Sequence, residues 1–321
     1  MAQRIKHLRE ASRQEGFALI VVIWIGILLS LMAAAFSSSV RSRIRATASH
    51  AETIRAEALA DAGVRIALVE LLNRSKEAST PPRFLTDGTP VMCAIGAEAV
   101  LVIRVEDEEG KVNLNTSNEE LLTALFSGLG ANHDKARGYA DLIMDFRDSD
   151  DDKRPGGAER NDYTKMPGGG LGPKNANFAS VNELDQVPGL PSDLRERAKP
   201  FLSVFSTKDG IDAGVASRSI RDLLVKGSNG IVDASNTSGS GDGALSIVSE
   251  LPRSFQAASS HRAYAMIAEA VLTSGARYVS EAVVALPNSE VGIPVFQHWR
   301  RGTSRALTAS PLTTPQHLAP C

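Results

Sequence analysis

The sequence predicts an α+β fold, in which a long N-terminal helix packs on an antiparallel sheet and a large α-helical domain is inserted between the strands. Residues 37–74 contain no proline, and their apolar side chains recur every three or four positions, as in an amphipathic helix. Strand-like runs lie at 90–106 and again at 262–299, and residues 112–210 between them have helical periodicity. A sheet whose strands lie so far apart in sequence implies an insertion.

The individual elements follow from the same patterns. The runs 90–95 and 97–106 predict a hairpin that turns at Gly96. Near the C-terminus the predicted strands are 262–272, 275–286 and 293–299, although 263–270 also fits a helix. The predicted helices are 118–129, 133–147, 180–186, 191–204 and 219–225. The predicted divisions of the chain are 1–16 (leader), 17–36 (membrane helix), 37–111 (stem and first strands), 112–210 (inserted domain), 211–302 (remaining α/β region, with a flexible loop at 235–243) and 303–321 (flexible tail).

Composition excludes several classes of protein. The chain has 321 residues, with 35 Lys and Arg against 37 Asp and Glu, a net charge of −2. A nucleic-acid coat needs clustered positive charge, so this balance argues against one. Two cysteines, Cys93 and Cys321, cannot form a disulfide framework or a four-cysteine zinc site. A single Cys93–Cys321 disulfide stays open, with Cys93 in a strand and Cys321 in the tail.

The N-terminus predicts a membrane helix. Residues 17–36 carry no charge, and as a helix they would span about 30 Å, the thickness of a bilayer's hydrocarbon core. The four basic residues that precede them favour a cytoplasmic leader; they are Arg4, Lys6, Arg9 and Arg13. Three interpretations are open: a secretory signal peptide cut after Ala33–Ala35, a plain signal anchor, or a prepilin-type leader. The third rests on Gly16-Phe17, which resembles the cleavage site of type IV prepilins and type II secretion pseudopilins.

An acidic loop follows the second predicted helix of the insert. Asp148, Asp150, Asp152 and Glu159 have the spacing of EF-hand positions 1, 3, 5 and 12, and Asp162 lies close behind. Lys153 occupies the position where an EF-hand needs glycine, so the pattern is not an EF-hand. Neighbouring carboxylates repel one another unless they are solvated or bound to a hard cation. The residues alone leave a metal site and a solvated acidic loop equally open, with Asp145 as an outlying candidate ligand.

One segment resembles a DNA-binding motif, and the chain contains no catalytic motif. The segment Glu183–Leu190, with Pro188-Gly189, resembles a helix-hairpin-helix turn, which suggests a membrane-anchored DNA-binding protein of a competence-like system. Residues 112–210 carry 12 Lys and Arg against 16 Asp and Glu, and such a surface repels phosphate, so a tight turn between packed helices is favoured. The six histidines fall in no HExxH motif and the chain has no GxSxG motif, so no enzyme activity and no catalytic residue are predicted.

Three further segments, together with Gly16-Phe17, resemble one family. They are KVNLNTSNEELLTAL (111–125), LIMDFRDSDDDKRPGGAERNDY (142–163) and PKNANFASVNELDQVPGLPSDLRERAKPFLSVFS (173–206). All are similar to the GspK family of minor pseudopilins of the type II secretion system. Most pilin-like proteins have glutamate at the fifth mature position. Val21 stands there in this chain, as is typical of GspK.

The resemblance implies a pilin-like fold and a place at the tip of the periplasmic pseudopilus, where the subunit helps to initiate or cap assembly for export of folded exoproteins across the outer membrane. It implies prepilin-peptidase cleavage after Gly16, N-methylation of Phe17, and a single-pass bacterial inner-membrane protein with a periplasmic C-terminal domain. The implied partners are the minor pseudopilins GspI and GspJ, prepilin peptidase and other secretion components, with secreted exoproteins as further candidates and no nucleic acid. It also implies structural calcium in the insert. The ligands predicted from the loop itself are Asp148, Asp150, Asp152, Glu159 and Asp162.

Overall fold

One helix dominates the computed structural model. The structure describes residues 3–74, 82–165, 170, 172–232, 251–287, 292–302 and 318–321, with side chains from residue 17 on and not for 229–232. Helix α1, Gln3–Arg74, is continuous over 72 residues, so the predicted membrane helix continues into the predicted stem as one rod. The predicted flexible loop 235–243 lies outside the described residues.

The sheet has five antiparallel strands in the order β1-β2-β5-β6-β7. Their bounds are β1 Val91–Ile95, β2 Ala99–Asp107, β5 Ala263–Leu272, β6 Arg277–Ala285 and β7 Val295–Arg301. All five predicted strands are confirmed, and 263–270 is a strand and not a helix. The hairpin between β1 and β2 turns at Gly96, whose φ of 56° is in the region that glycine tolerates.

Helix α1 packs on one face of this sheet. Its buried stripe meets alternate side chains of β2, β5 and β6, as expected from the periods of a helix and a strand. The members of this core include Ala60, Val64, Ala67, Leu71, Leu101, Ile103, Met266, Ala268 and Val284. A Cβ on Gly63 would lie 2.8 Å from Cβ of Ala268, so glycine permits this close approach. The Tyr278 hydroxyl also donates to Glu57 Oε1 at 3.0 Å.

The inserted domain lies between β2 and β5 and has its own core. Its elements are β3 Val112–Asn113, α2 Glu119–Gly128, α3 His133–Arg147, α4 Arg160–Tyr163, α5 Ser192–Ala198, β4 Leu202–Ser203 and α6 Arg218–Val232. Asn118 and Asn132 cap α2 and α3 by accepting backbone N–H groups at 2.9 Å. Strands β3 and β4 pair in parallel and bring the two ends of residues 112–203 together.

The insert is longer than its predicted boundary at residue 210. The same core continues through Ile211, Ile220 and Leu224 to Phe255, because α6 packs directly on α2. A Cβ on Gly128 would meet the Leu223 carbonyl oxygen at 2.2 Å, and one on Gly227 would meet that of Ala124 at 1.8 Å. These glycines bring the two backbones into contact, a tertiary effect that composition did not indicate.

Two predicted helices are shorter or tighter in the structure. Residues 181–186 form a 3₁₀ helix. The helix predicted over 191–204 ends at Ala198 and continues as a 3₁₀ turn, Lys199–Phe201, before β4. Pro200 has no N–H to continue the α-helical hydrogen-bond ladder, although Lys199 before it keeps helical backbone, with φ −46° and ψ −41°.

The two connections to the insert are tied together by a polar network. Asp107, at the end of β2, accepts a hydrogen bond from the Ser259 hydroxyl at 2.8 Å and contacts His261 Nδ1 at 2.9 Å. The neighbouring Glu109 accepts hydrogen bonds from Ser259 and Ser260. These contacts join the segment that leaves the sheet for the insert to the segment that returns from it. Both connections between the insert and the sheet are therefore held in place.

The last residues are docked, in contrast with the predicted flexible tail. Cys93 and Cys321 form a disulfide, with Cα atoms 5.0 Å apart. Ala94 N–H donates to the Ala319 carbonyl at 2.9 Å and Cys321 N–H donates to the Ala94 carbonyl at 3.1 Å. Residues 318–321, the C-terminal strap, therefore pair with the outer edge of β1, while residues 303–317 lie outside the described part.

Candidate functional site

The first candidate site is the exposed part of α1. Every residue from Phe17 to Phe36 is exposed, and Phe17 itself is 71% exposed. Among the described residues, α1 contains the one helix that is long and apolar enough to cross a membrane, by length and composition, and none of its apolar window is buried. No described residue of the chain covers the apolar surface of residues 17–36, and a surface of this length and composition suits a bilayer or the packing of other helices. Gly16 and Phe17 lie within the helix.

The second candidate is an acidic centre where α3 meets the acidic loop, formed by Asp145, Asp148 and Glu159. Asp145 lies in the last turn of α3 and is fully buried, Asp148 caps the helix, and Glu159 precedes α4 and is 7% exposed. A Cβ on Gly157 would lie 2.0 Å from Asp145 Oδ2, so glycine is required where the loop folds against α3. Arg154 N–H donates to the same oxygen at 3.2 Å.

Several oxygens of the acidic centre are buried without a hydrogen-bond donor. They are Asp145 Oδ1, Asp148 Oδ1 and both carboxylate oxygens of Glu159. The Tyr163 hydroxyl and Asn175 Oδ1 are also buried without a hydrogen-bond partner among the described residues. Such atoms are costly to bury unless a cation or hydrogen-bond donor meets them. Arg154 compensates in part, with its Nε 3.5 Å from Asp145 Oδ1.

The pKa values of all three carboxyl groups in the acidic centre are raised. Burial, followed by the charges of Asp145 and Asp148, raises the pKa of Glu159 to about 7. Burial raises the pKa of Asp145 to about 6, against the lowering effect of the Arg154 backbone hydrogen bond. The pKa of Asp148 is also raised, by burial and then by the charge of Asp150. The centre is therefore a set of carboxylates that resist ionisation in the absence of a cation.

The donor set fits a hard cation. It offers carboxylate, amide and hydroxyl oxygens and no Cys or His, which suits Ca²⁺. No group of three or more His, Cys, Asp or Glu side chains in the described part of the chain is already arranged to hold a metal ion. Binding would therefore require the three carboxylates to converge further.

The structure separates the five predicted ligands. Asp148 and Glu159 lie in the acidic centre, whereas Asp150 and Asp152 are exposed. Asp162 Oδ2 accepts the Glu159 N–H at 3.2 Å and pairs with Lys153 Nζ at 3.1 Å. Asp145 is more central than its sequence position suggested; the signal was its i, i+3 spacing from Asp148, which places both on one helix face.

The segment that resembled a DNA-binding hairpin is a turn held by buried apolar side chains. Val187, Pro188 and Leu190 are buried, whereas Gly189 is exposed and has a φ of 82°. A Cβ on Gly189 would lie 3.3 Å from Leu142. These contacts agree with the favoured interpretation, a tight turn between packed helices.

Comparison with known proteins identifies the inserted region. Residues 101–207 match the family model of type II secretion system protein K. Over these residues the chain is similar to protein K of the type II secretion system. The resemblance to the GspK family drawn from the sequence is confirmed. The matched residues include the acidic centre and the hairpin-like turn.

The likeness in fold extends beyond the matched residues 101–207. A chain of the GspK–GspI–GspJ complex from enterotoxigenic Escherichia coli superimposes with a TM-score of 0.56 at 14% identity, covering 82% of this chain and 100% of that one. The predicted α+β fold with its long helix, antiparallel sheet and helical insert is confirmed. A search of curated protein sequences finds no match to the chain.

Proposed function

We propose that this chain is a minor pseudopilin that occupies the tip of a type II secretion pseudopilus and helps to initiate or cap its assembly for the export of folded exoproteins. The observation that carries the proposal is the single rod α1, which joins an exposed apolar segment to a sheet bearing the region that is similar to protein K. The rod can be stored in a membrane and then pack beside the helices of other subunits. The role is structural and not enzymatic.

The tip position is supported by charge and by size. No acidic residue lies between Phe17 and His50, and Val21 stands at the fifth mature position. A carboxylate in an apolar helix is costly unless it has a partner, such as the terminal ammonium of a neighbouring subunit. A subunit at the end of the filament has no such neighbour ahead of it. The large insert beside the sheet would also obstruct stacking of further copies.

The proposed partners are the minor pseudopilins GspI and GspJ, because the structurally similar chain is crystallised with them. We expect residues 41–321, which retain the part of α1 that packs on the sheet, to co-purify with GspI and GspJ of the same organism. The measurement is co-expression with a tag on one subunit, followed by light scattering. The soluble part of the major pseudopilin is the control. The tip assignment would be contradicted if either GspI or GspJ failed to bind, or if the major pseudopilin bound equally well.

The proposed location is the bacterial inner membrane, crossed once, with the C-terminal domain in the periplasm. The basic leader favours a cytoplasmic N-terminus. The Cys93–Cys321 disulfide supports an oxidising compartment for the sheet.

Processing by prepilin peptidase gives a direct test of the leader. We expect the mature chain to begin at an N-methylated Phe17, and Gly16→Leu to leave the leader attached, because the larger side chain would clash where the peptidase accepts glycine. Mass spectrometry of the N-terminal peptide from strains with and without the peptidase measures both outcomes. A start after Ala35 would identify a secretory signal peptide and exclude the pseudopilin pathway.

Calcium is the proposed occupant of the acidic centre. Asp145, Asp148 and Glu159 would hold the ion, with Asn175 Oδ1 as a neutral donor from the facing segment, since these are the buried oxygens without donors. The ion would supply positive charge that fixes the loop against α3. Asp150 and Asp152 are exposed and would favour calcium binding through their negative charge alone. Asp162 would support the site by holding Glu159 and Lys153 in place.

A further inference from the structure

A cationic face follows the apolar part of α1. Residues 37–49 contain five serines and three arginines, and no acidic residue occurs between Phe17 and Glu52. All three arginines are exposed; they are Arg41, Arg43 and Arg45. At a rise of 1.5 Å per residue, Arg41 lies about 7.5 Å and Arg45 about 13.5 Å beyond Phe36.

These positions match the depth of lipid headgroups. The polar layer of each leaflet is about 5–8 Å thick, so Arg41 lies within it when residues 17–36 span the hydrocarbon core. Side chains on a helix tilt toward its N-terminus, which directs the long Arg45 side chain back toward the same layer. Two of the three positive charges of this segment therefore converge on the plane of the lipid phosphates from one helix face.

Two of the arginines share that face with small side chains. Ser38, Arg41, Ser42 and Arg45 have the spacing i, i+3, i+4, i+7 and line a shallow groove. Arg41 Nη2 donates to Ser37 Oγ at 2.9 Å, which folds its guanidinium toward the apolar segment. The Ser38 hydroxyl donates to the Ala35 carbonyl at 2.8 Å, so its hydrogen is already used within the helix. Ser38 therefore contributes only space for a lipid headgroup, and the guanidinium groups supply the hydrogen-bond donors. Arg43 is rotated about 200° from Arg41 and lies on the opposite face.

We propose that the groove between Arg41 and Arg45 binds the phosphate of an anionic phospholipid in the leaflet at the C-terminal end of the span. Guanidinium groups bind phosphate oxygens in two-pronged fashion, and anionic lipid attracts juxtamembrane basic residues. Binding would fix the depth of α1 while the subunit resides in the membrane. The inference requires only that residues 17–36 span a bilayer, and it stands apart from the proposed role at the filament tip.

Native mass spectrometry of the full-length chain in neutral detergent tests the site. The probes are phosphatidylglycerol and phosphatidylcholine of equal chain length. We expect retained phosphatidylglycerol to exceed phosphatidylcholine, and Arg41→Gln and Arg45→Gln each to weaken its binding about fivefold, the preference that one charge near an anionic surface supplies. Arg43→Gln removes the same charge from the other face and should change binding less than twofold. Circular dichroism checks that the variants keep the helix.

Three results would overturn the inference. Equal retention of the two lipids would show that no anionic site exists. An equal loss in Arg43→Gln would show diffuse attraction in place of a groove. Displacement of the lipid by inorganic phosphate at the same concentration would assign the groove to free phosphate and not to a lipid headgroup. Each result is independent of whether GspI and GspJ bind.

Discussion

Removal of calcium is expected to lower the melting temperature of residues 41–321 by about 5–10 °C. An ion present at 100 times its dissociation constant stabilises the folded state by about 2.7 kcal/mol, and a domain of this size shifts by about 2–4 °C per kcal/mol. Differential scanning calorimetry with calcium and with chelator measures the shift, and titration calorimetry measures the heat of binding. Magnesium should substitute poorly, because it demands octahedral geometry and retains its waters.

Variants distinguish the acidic centre from a general salt effect. Glu159→Gln and Asp148→Asn should abolish the calcium-dependent shift. In chelator they should melt at or above the wild-type temperature, because each removes a buried carboxylate oxygen that lacks a donor. Asp193→Asn changes an exposed acid of the same domain and should leave the shift intact. Identical melting curves with and without calcium, and no heat of binding, would show a solvated acidic loop and no metal centre.

The metal-free protein should also lose stability as the pH rises. The pKa of Asp145 is raised from 3.8 to about 6 and that of Glu159 from 4.5 to about 7. Between about pH 4 and 7 the folded state therefore binds more protons than the unfolded state, so the free energy of unfolding falls with increasing pH. Bound calcium favours the ionised carboxylates and should flatten this dependence. A metal-free melting temperature that rises across this pH range would contradict the geometry of the centre.

The sequence predicted the elements that depend on local pattern. The apolar stripe of α1 and the alternating strands gave the helix, all five strands and the insertion, because burial on one face imposes periods of 3.6 and 2 on the side chains. The boundary of the insert was predicted too early, since the contact of Gly128 and Gly227 across α2 and α6 joins residues far apart in sequence.

The acidic centre was likewise predicted in part from local spacing, and the rest of it depends on long-range contacts. Spacing in the loop pointed to Asp148 and Glu159, but an EF-hand pattern assumes a loop that encloses its own ion. Here the loop folds back on α3, which brings in Asp145 and turns Asp150 and Asp152 to solvent. Which carboxylates converge depends on Gly157 and on the packing of α3, and neither can be inferred from the order of acidic residues.

The C-terminal strap was anticipated only through the Cys93–Cys321 disulfide that the sequence left open. Its residues have no hydrophobic period, and its order depends on contacts with residues more than 200 positions earlier. Arg83 donates from Nη1 to the Cys321 carbonyl at 2.7 Å and from Nη2 to the Pro320 carbonyl at 3.1 Å. The disulfide then fixes a strap that has few apolar contacts of its own. The prediction of a flexible tail is therefore wrong for residues 318–321, because composition does not include these specific contacts.

Loss of the strap should have the second large effect. Cys321→Ser is expected to lower the free energy of unfolding of residues 41–321 by about 2–5 kcal/mol, the usual cost of removing a native disulfide. The link closes a loop of 228 residues, so the unfolded chain gains much freedom when it is broken. Urea unfolding of the oxidised wild type, the variant and the thiol-reduced wild type measures the difference. The last two should agree, because both lack the same bond.

The strap also protects a sheet edge, and this second effect separates it from a simple cross-link. Ala94 exchanges both of its backbone hydrogen bonds with the strap, and an open edge at β1 would offer those groups to another chain. Arg83→Gln weakens the strap but keeps the disulfide, so it should cost less stability than Cys321→Ser. Deletion of residues 318–321 removes the strap and the disulfide together. It should promote self-association, which light scattering detects at increasing protein concentration. A deletion variant that is as stable and as monomeric as the wild type would show that the strap neither stabilises the sheet nor covers its edge.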